Sequence, residues 1–233
     1  MYIPELTYNL YAPIVLASIL TGLVVASLLC RRAGASRQTI VYTALLTFVM
    51  IIAVSFMMSV IMSGSLLKFG FVGAGGALGL ILGVIVSGFI HNDHVKETVA
   101  AWIIVAPLMY GLSKIACHIA GCCNGIPYHG VLSVTYESHG GASYFPVQLL
   151  ETVVFVVIFA VGLVLFLKAS SDKMLGVASL VLLLSCVAKV SIEFLRESHV
   201  GKTVTCYQVL VVAITVITLV VFQVMKKRGE LVR

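Results

Sequence analysis

Seven long apolar stretches dominate this sequence and set what it can fold into. They run near residues 11–30, 40–62, 70–90, 98–120, 146–168, 174–195 and 204–225. A helix needs roughly 20 apolar residues to cross about 30 Å of hydrocarbon. Only 10% of the chain is charged and 61% is hydrophobic, whereas a soluble domain carries roughly 25% charged residues. We therefore expect an all-α integral membrane protein with seven transmembrane helices, a single polytopic domain over residues 1–233. A soluble enzyme, a disordered chain and a nucleic-acid-binding module are excluded.

The positions of the basic residues predict the orientation of these spans. Arg31, Arg32 and Arg37 follow the first span directly, and cytoplasmic loops are enriched in lysine and arginine. The N-terminus is therefore expected outside and the C-terminus in the cytoplasm. The net charge of +6 is explained by this topology and by anionic headgroups on the inner leaflet.

Ionisable residues inside the apolar stretches mark a candidate site. Lys114, Glu151, Lys189 and Glu193 lie within spans, and Arg196 ends the sixth. Such residues are costly in lipid and usually face a cavity or a partner. Two interpretations remain open here: buried ion pairs that fix helix packing, or a polar cavity that opens outward. Their position toward one membrane side favours the cavity.

The third span carries a stripe of glycines. Gly75, Gly79 and Gly83 recur every four residues, a spacing typical of close helix packing. The alternative is that the backbone of Gly75 and Gly76 approaches a ligand, which glycine permits because it has no side chain.

The longest loop, residues 121–145, is predicted to cap the site from outside. It begins Gly121-Cys122-Cys123-Asn124-Gly125 and contains further histidines and a glutamate; long loops in compact domains are often functional. Cys117 and His118 precede it. Because the cysteine spacing matches no standard structural zinc site, neither a metal nor another cofactor is expected.

Three segments, in order, resemble the bacterial prolipoprotein diacylglyceryl transferase family. Ser113–Gly125 is similar to the family signature Gly-Arg-x-Gly-Asn-Phe-x-Asn-Gly-Glu-x-x-Gly. Pro146–Glu151 is similar to the family's Pro-x-Gln-Leu-x-Glu. Lys189–Arg196 is similar to its Arg-Phe-x-x-Glu-Phe-x-Arg. Gly75-Gly76 and the segment Thr7–Leu10, with Tyr8, are weaker matches. The resemblance implies a multi-pass protein of the bacterial cytoplasmic membrane with its active site toward the outer leaflet.

The chain also departs from the family pattern. Ala74 stands where the family has a histidine, and Lys114 and Lys189 replace arginines. Cys117 replaces the signature asparagine and Cys122 its glutamate. These replacements put the acceptor and the catalytic base in question.

The resemblance implies transfer of a diacylglyceryl group from phosphatidylglycerol to an acceptor, by default the lipobox cysteine of a prolipoprotein. The two lysines would then hold the leaving phosphate, and either a lysine or His118 would serve as the base. Glu193 is expected to hold Lys189 or Arg196, and Glu151 to pair with Lys114. The candidate catalytic residues are Lys114, Lys189, His118 and Glu193, and the candidate substrate-binding residues are Tyr8, Gly75, Gly76, Cys117, Gly121, Cys122, Cys123, Asn124, Gly125, Gln148, Glu151 and Arg196.

Alternatives remain for the cysteines and for the function. Three interpretations of Cys122 and Cys123 remain open. They are plain small loop residues, they form a disulfide with Cys117 or Cys206, or they supply a nucleophile. The functional alternatives are a related transferase with a different donor or acceptor, a non-catalytic lipid-binding or transport relative, and a membrane thiol–disulfide oxidoreductase. The expected partners are a phospholipid donor and a secreted or membrane acceptor, with no nucleic acid.

Overall fold

Seven long helices form the protein, and they confirm the seven predicted spans. The computed structural model describes residues 2–3, 8–65 and 70–231. Within this part of the chain the helices are α1 (Tyr11–Arg32), α2 (Arg37–Ser63), α3 (Gly73–Ile90), α4 (Val95–Ile119), α5 (Val147–Lys168), α6 (Met174–Glu193) and α7 (Cys206–Leu231). All seven are long and apolar enough to cross a membrane.

Helix α4 lies at the centre of the bundle. Its most apolar segment is 72% buried, against 22–50% for the corresponding segments of the other helices. It contacts α1, α3, α5 and α6. Helix α4 also has the lowest mean hydropathy of the seven, 1.6. The two facts agree, because a helix surrounded by protein has little contact with lipid and tolerates Pro107 and polar residues.

Helices α2 and α3 pack closely along the glycine stripe. A Cβ atom at Gly79 would lie 2.2 Å from the backbone oxygen of Met50, and one at Gly83 would lie 2.7 Å from Cα of Thr47. Neither glycine can gain a side chain without separating the two helices. The stripe is therefore a packing surface, as small residues are in other membrane helix pairs.

The loops at one end of the bundle hold most of the basic residues. The α1–α2 and α3–α4 connections meet there, where the Asp93 carboxylate accepts a hydrogen bond from the Ser36 backbone N–H at 2.7 Å. The α5–α6 connection joins them through a hydrogen bond from Ser171 to Glu97. The lysines and arginines at this end whose side chains the structure describes are Arg31, Arg32, Arg37, Lys96, Lys168, Lys173, Lys226 and Lys227.

The opposite end carries a small sheet that the sequence did not predict. Strand β1 (Tyr2–Ile3) pairs in parallel with β2 (Val134–Tyr136), and β2 pairs antiparallel with β3 (Ser143–Tyr144). The segment after the cysteines lies between β3 and the chain that follows α6: the Ile126 N–H donates to Leu195 O, and the Phe145 N–H donates to Ile126 O. The loop 121–145 is thereby held against the ends of α4, α5 and α6.

Candidate functional site

Glu151 is the centre of a buried ion cluster at the end that carries the sheet. Its side chain is completely buried. One carboxylate oxygen accepts hydrogen bonds from Lys189 Nζ at 2.8 Å and from the Tyr110 hydroxyl at 2.9 Å. The other oxygen lies 2.6 Å from Arg196 Nη2 and 3.5 Å from Lys114 Nζ. A carboxylate near the start of α5 thus binds cations from α4, from α6 and from the segment after α6.

Glu193 is the second acid of the cluster. Its Oε2 lies 2.8 Å from Lys189 Nζ and 3.2 Å from Arg196 Nε. The spacings i,i+4 and i,i+3 place these three residues on one face, as the sequence predicted. Glu193 was expected to hold Lys189 or Arg196, and it contacts both. Glu151 was expected to pair with Lys114, and this pair is one of the four contacts that Glu151 makes.

The cluster has one positive charge in excess. Lys114, Lys189 and Arg196 surround two carboxylates, and all five side chains are buried. Lys114 is the least engaged cation, because its one ion pair is the longest of the set at 3.5 Å. An excess cation in a low-dielectric site attracts an anion strongly. The site is therefore suited to a ligand with a single negative charge.

Two tyrosines that the sequence did not single out border the cluster. The Tyr110 ring lies 4.7 Å from Lys114 Nζ, and the Tyr207 ring lies 4.8 Å from Lys189 Nζ. Both distances are within the range of cation–π attraction. Tyr110 had a local signal, since it precedes Lys114 by four residues on α4. Tyr207 comes from α7 and has no such signal.

Two apolar cavities adjoin the ion cluster. The larger, about 120 Å³, lies between α3, α4, α6 and α7, and Tyr110 and Lys189 belong to its wall. The smaller, about 60 Å³, lies between α1, α2, α3 and α4. The two cavities are separated by residues that line both of them: Gly73, Ala77, Ala106 and Tyr110. The charged cluster and space for hydrocarbon thus share a boundary.

Three cysteines converge where α4 ends. The Gly121 N–H bonds to His118 O, and the Cys122 N–H bonds to Cys117 O at 3.1 Å. With Gly121 in the left-handed conformation at φ 60°, these bonds form a Schellman motif, which brings the residue after the glycine against the last turn of the helix. Cys122 consequently lies against Cys117.

Cys123 joins the other two thiols. It adopts φ 60°, a conformation that costs a non-glycine residue about 1–3 kcal/mol. The three Sγ atoms all lie within 4.8 Å of one another, and all six cysteines are free. The neighbouring Cys117 and Cys122 thiols lower the pKa of the Cys123 thiol, and the charges of Lys114 and Arg196 lower it further. Cys206, an expected disulfide partner, is outside this cluster.

Gln148 connects the cysteine loop to the ion cluster. Its Nε2 donates to the Cys122 carbonyl oxygen at 2.8 Å and lies 3.4 Å from Asn124 Oδ1. Gln148 precedes Glu151 by three residues on α5, and Lys114 precedes Cys117 by three on α4. Residues three apart share a helix face, so two helices carry the ions and the thiols side by side.

His118 points toward the small sheet. Its Nδ1 lies 3.3 Å from the Tyr136 hydroxyl, and the two rings pack edge to face. Its Nε2 is buried and has no hydrogen-bond partner in the described part of the chain. The histidine therefore contacts the loop, and none of its recorded contacts is with the ion cluster.

The remaining predicted residues have varied surroundings. A Cβ atom at Gly75 would lie 2.8 Å from Cα of Ser55 on α2, whereas Gly76 lines the smaller cavity. Gly125 is needed for close approach, because a Cβ atom there would lie 2.3 Å from Phe145 O. Asn124 accepts a hydrogen bond at its backbone oxygen from the Glu197 N–H. Tyr8 begins a short 3-10 helix, but its side chain, like Thr7, falls outside the described residues.

The family described as prolipoprotein diacylglyceryl transferase matches residues 1–224. A comparison with curated proteins found no match.

Proposed function

The chain belongs to the prolipoprotein diacylglyceryl transferase family, whose model matches 224 of its 233 residues, and from this premise we propose that it transfers a diacylglyceryl group from a phosphatidylglycerol-like donor to a thiol. The default acceptor is the lipobox cysteine of a prolipoprotein. The proposal rests on one observation: Lys189 and Tyr110 belong both to the buried ion cluster and to the wall of the larger apolar cavity.

This boundary suits a phospholipid. The phosphate diester of phosphatidylglycerol carries one negative charge, which equals the excess positive charge of the cluster. Lys114 is the cation with the most spare donor capacity, and we assign it the main contact with the phosphate. The acyl chains extend from there into the two cavities, which are separated by Gly73, Ala77, Ala106 and Tyr110.

The cations stabilise the transition state as well as the donor. When the acceptor sulfur attacks the glyceryl carbon, the carbon–oxygen bond to phosphate breaks and the departing glycerol phosphate gains negative charge. Preorganised cations aimed at developing charge are worth more than cations that bind the ground state alone. Arg196 and Lys189 are fixed by two carboxylates, so they do not reorganise as the charge develops.

The site is proposed to face the outer leaflet of the bacterial cytoplasmic membrane. Eight lysines and arginines whose side chains the structure describes lie at the other end of the bundle, which the positive-inside rule assigns to the cytoplasm. A secreted precursor and a phospholipid of the outer leaflet then reach the thiol loop and the ion cluster from the same side.

The proposal is tested with purified protein, phosphatidylglycerol and a lipobox peptide. We expect the peptide mass to increase by one diacylglyceryl group as glycerol phosphate is released. A peptide with serine in place of its cysteine is the control and should stay unmodified. Glycerol phosphate release without peptide modification would identify a different acceptor, and the absence of both products would contradict the transferase in favour of a lipid-binding relative.

A thiol–disulfide oxidoreductase is the alternative that the three clustered thiols favour. It would interchange a disulfide with a substrate and leave phosphatidylglycerol intact. Alkylation followed by mass spectrometry, before and after incubation with an oxidised peptide, separates the two functions. Only the oxidoreductase would lose free thiols of its own, because it forms a disulfide as it reduces that of the peptide.

A further inference from the structure

The three-thiol cluster has no role in the phosphate chemistry proposed above, yet it lies beside that site. Cys117 is one helical turn from Lys114, and the Cys122 carbonyl is bound by Gln148, one turn from Glu151. Cys117 is buried, Cys122 half-buried and Cys123 exposed. The cluster therefore extends from the protein interior to the surface of the loop.

The separation of the sulfur atoms fits coordination of a single ion. Three metal–sulfur bonds of about 2.3 Å place the sulfur atoms roughly 4 Å apart in tetrahedral or trigonal geometry. The Sγ atoms of Cys117, Cys122 and Cys123 already lie within 4.8 Å of one another. Closing the cluster onto an ion requires side-chain adjustments of less than about 1 Å.

The backbone holds the cluster in this form. The Schellman motif fixes Cys122 against Cys117, and Cys123 keeps a left-handed conformation that is unfavourable for a residue with a side chain. Unfavourable conformations persist when the surroundings determine them, and they concentrate at functional sites. Gly121 and Gly125 flank the three-residue turn, and Gly125 pairs with Arg196 in an isolated bridge.

We propose that Cys117, Cys122 and Cys123 bind one thiophilic metal ion, Zn²⁺ or Cu⁺, and leave one coordination position open on the exposed side for the acceptor thiol. Soft thiolate ligands select these ions. The sequence alone predicted no metal because adjacent cysteines match no standard zinc spacing; the folded turn brings their sulfur atoms together.

The role of this ion site rests on the proposed transferase function, because the ion would bind and deprotonate the acceptor thiol. Ala74 occupies the position of the family's histidine, and His118 is engaged with Tyr136. Because Lys114 and Lys189 are ion-paired with Glu151, the acceptor thiol needs another means of losing its proton. A thiol that coordinates such an ion is deprotonated. Its proton passes to water on binding, and the ion keeps its oxidation state throughout.

The transfer step then balances without a further reactant. The ion-bound sulfur attacks the glyceryl carbon of the donor, a sulfur–carbon bond forms, and the carbon–oxygen bond to phosphate breaks. The electron pair leaves with glycerol phosphate, next to Lys114. The product thioether is neutral and a weaker ligand than a thiolate, so it dissociates and frees the position. A covalent intermediate on Cys123 is disfavoured by the same chemistry, because its thioether is a poor leaving group.

The first test measures binding with no donor present. Purified full-length protein with reduced thiols is incubated with Zn²⁺ alone or Cu⁺ alone, and the retained metal is quantified after gel filtration. We expect one ion per chain for the wild type and for Cys206→Ser, an exposed cysteine outside the cluster. Cys117→Ser and Cys122→Ser should bind at least about 10-fold more weakly. Equal retention by Cys122→Ser, or none by the wild type, would overturn the site.

The second test addresses the open position. Co²⁺ bound in the cluster reports on its ligands through sulfur-to-cobalt charge-transfer absorption. We expect this absorption to increase when a lipobox peptide is added and to stay constant with the serine peptide. No change with the cysteine peptide would overturn the role in acceptor binding. Neither test involves lipid, so the result of each is independent of whether the protein carries out the transfer reaction.

Discussion

Replacing Glu151 with glutamine removes the one carboxylate that contacts all three cations of the site. Glutamine has nearly the same shape, so the substitution changes charge and leaves packing almost intact. Lys114 loses its only recorded ion-pair partner in the described part of the chain, and Glu193 becomes the sole acid near Lys189 and Arg196. The excess positive charge rises from one to two.

The expected loss of stability is large because the side chain is completely buried. Removing one partner of a buried ion pair costs about 3–5 kcal/mol, since the remaining charges are left uncompensated. For a chain of this size each kcal/mol shifts Tm by roughly 2–4 °C, so Tm should fall by about 6–20 °C.

The assay is thermal unfolding in detergent, followed by the loss of monodisperse protein. Glu137→Gln is the matched control, since Glu137 is an exposed acid at the same end of the bundle; its Tm should equal that of the wild type. A Glu151→Gln protein that also unfolds at the wild-type temperature would refute the description of Glu151 as the centre of the cluster.

Three further predictions concern the surroundings of the site and the opposite end. Tyr110→Phe removes the hydroxyl that donates to Glu151 and should cost about 1.5–3 kcal/mol by chemical denaturation, whereas an unchanged midpoint would contradict that bond. Gly79→Ala should destabilise by about 1–3 kcal/mol through overpacking against α2, while Gly176→Ala, with open space around it, should not. The pKa of Asp93 is lowered because its carboxylate accepts a hydrogen bond from the Ser36 N–H. Asp93 therefore adds to the free energy of unfolding above the pKa of aspartate in the unfolded chain, and this stabilisation is lost as the pH falls through the pKa of the folded state. Asp93→Asn should accordingly lower Tm at neutral pH and match the wild type in acid; a constant difference across pH would contradict this account.

The spans could be predicted from sequence because lipid imposes a length and a polarity on each helix separately. Which helix lies in the centre could not be predicted, since hydropathy does not specify neighbours. The low mean hydropathy of α4 is tolerated because the other helices shield it from lipid. The role of Glu151 was predicted only in part: its pair with Lys114 was expected, but its contacts with Lys189 and Arg196 were not. Helical spacing relates Lys189, Glu193 and Arg196 to one another, but it gives no information about a partner on a different helix.

The closeness of Cys117, Cys122 and Cys123 was predicted only as one alternative, a disulfide with Cys117, although a local signal for it existed. Gly121 at the end of an apolar stretch is typical of a helix C-terminus, and a Schellman motif there places Cys122 against Cys117. The left-handed conformation of Cys123 had no signal of this kind. The strands β1, β2 and β3 are two or three residues long, too short for an alternating pattern to be recognised.

The excess cation of the buried cluster is proposed to hold the donor phosphate during transfer. The most direct test is to measure the release of glycerol phosphate from headgroup-labelled phosphatidylglycerol. The wild type is compared with Lys114→Met and with Lys202→Met, which removes an exposed lysine at the same end of the bundle. We predict that Lys114→Met lowers the rate by about 10²–10³-fold, the effect of losing one preorganised transition-state contact, and that Lys202→Met releases glycerol phosphate at the wild-type rate. Equal rates for the wild type and Lys114→Met would contradict the claim.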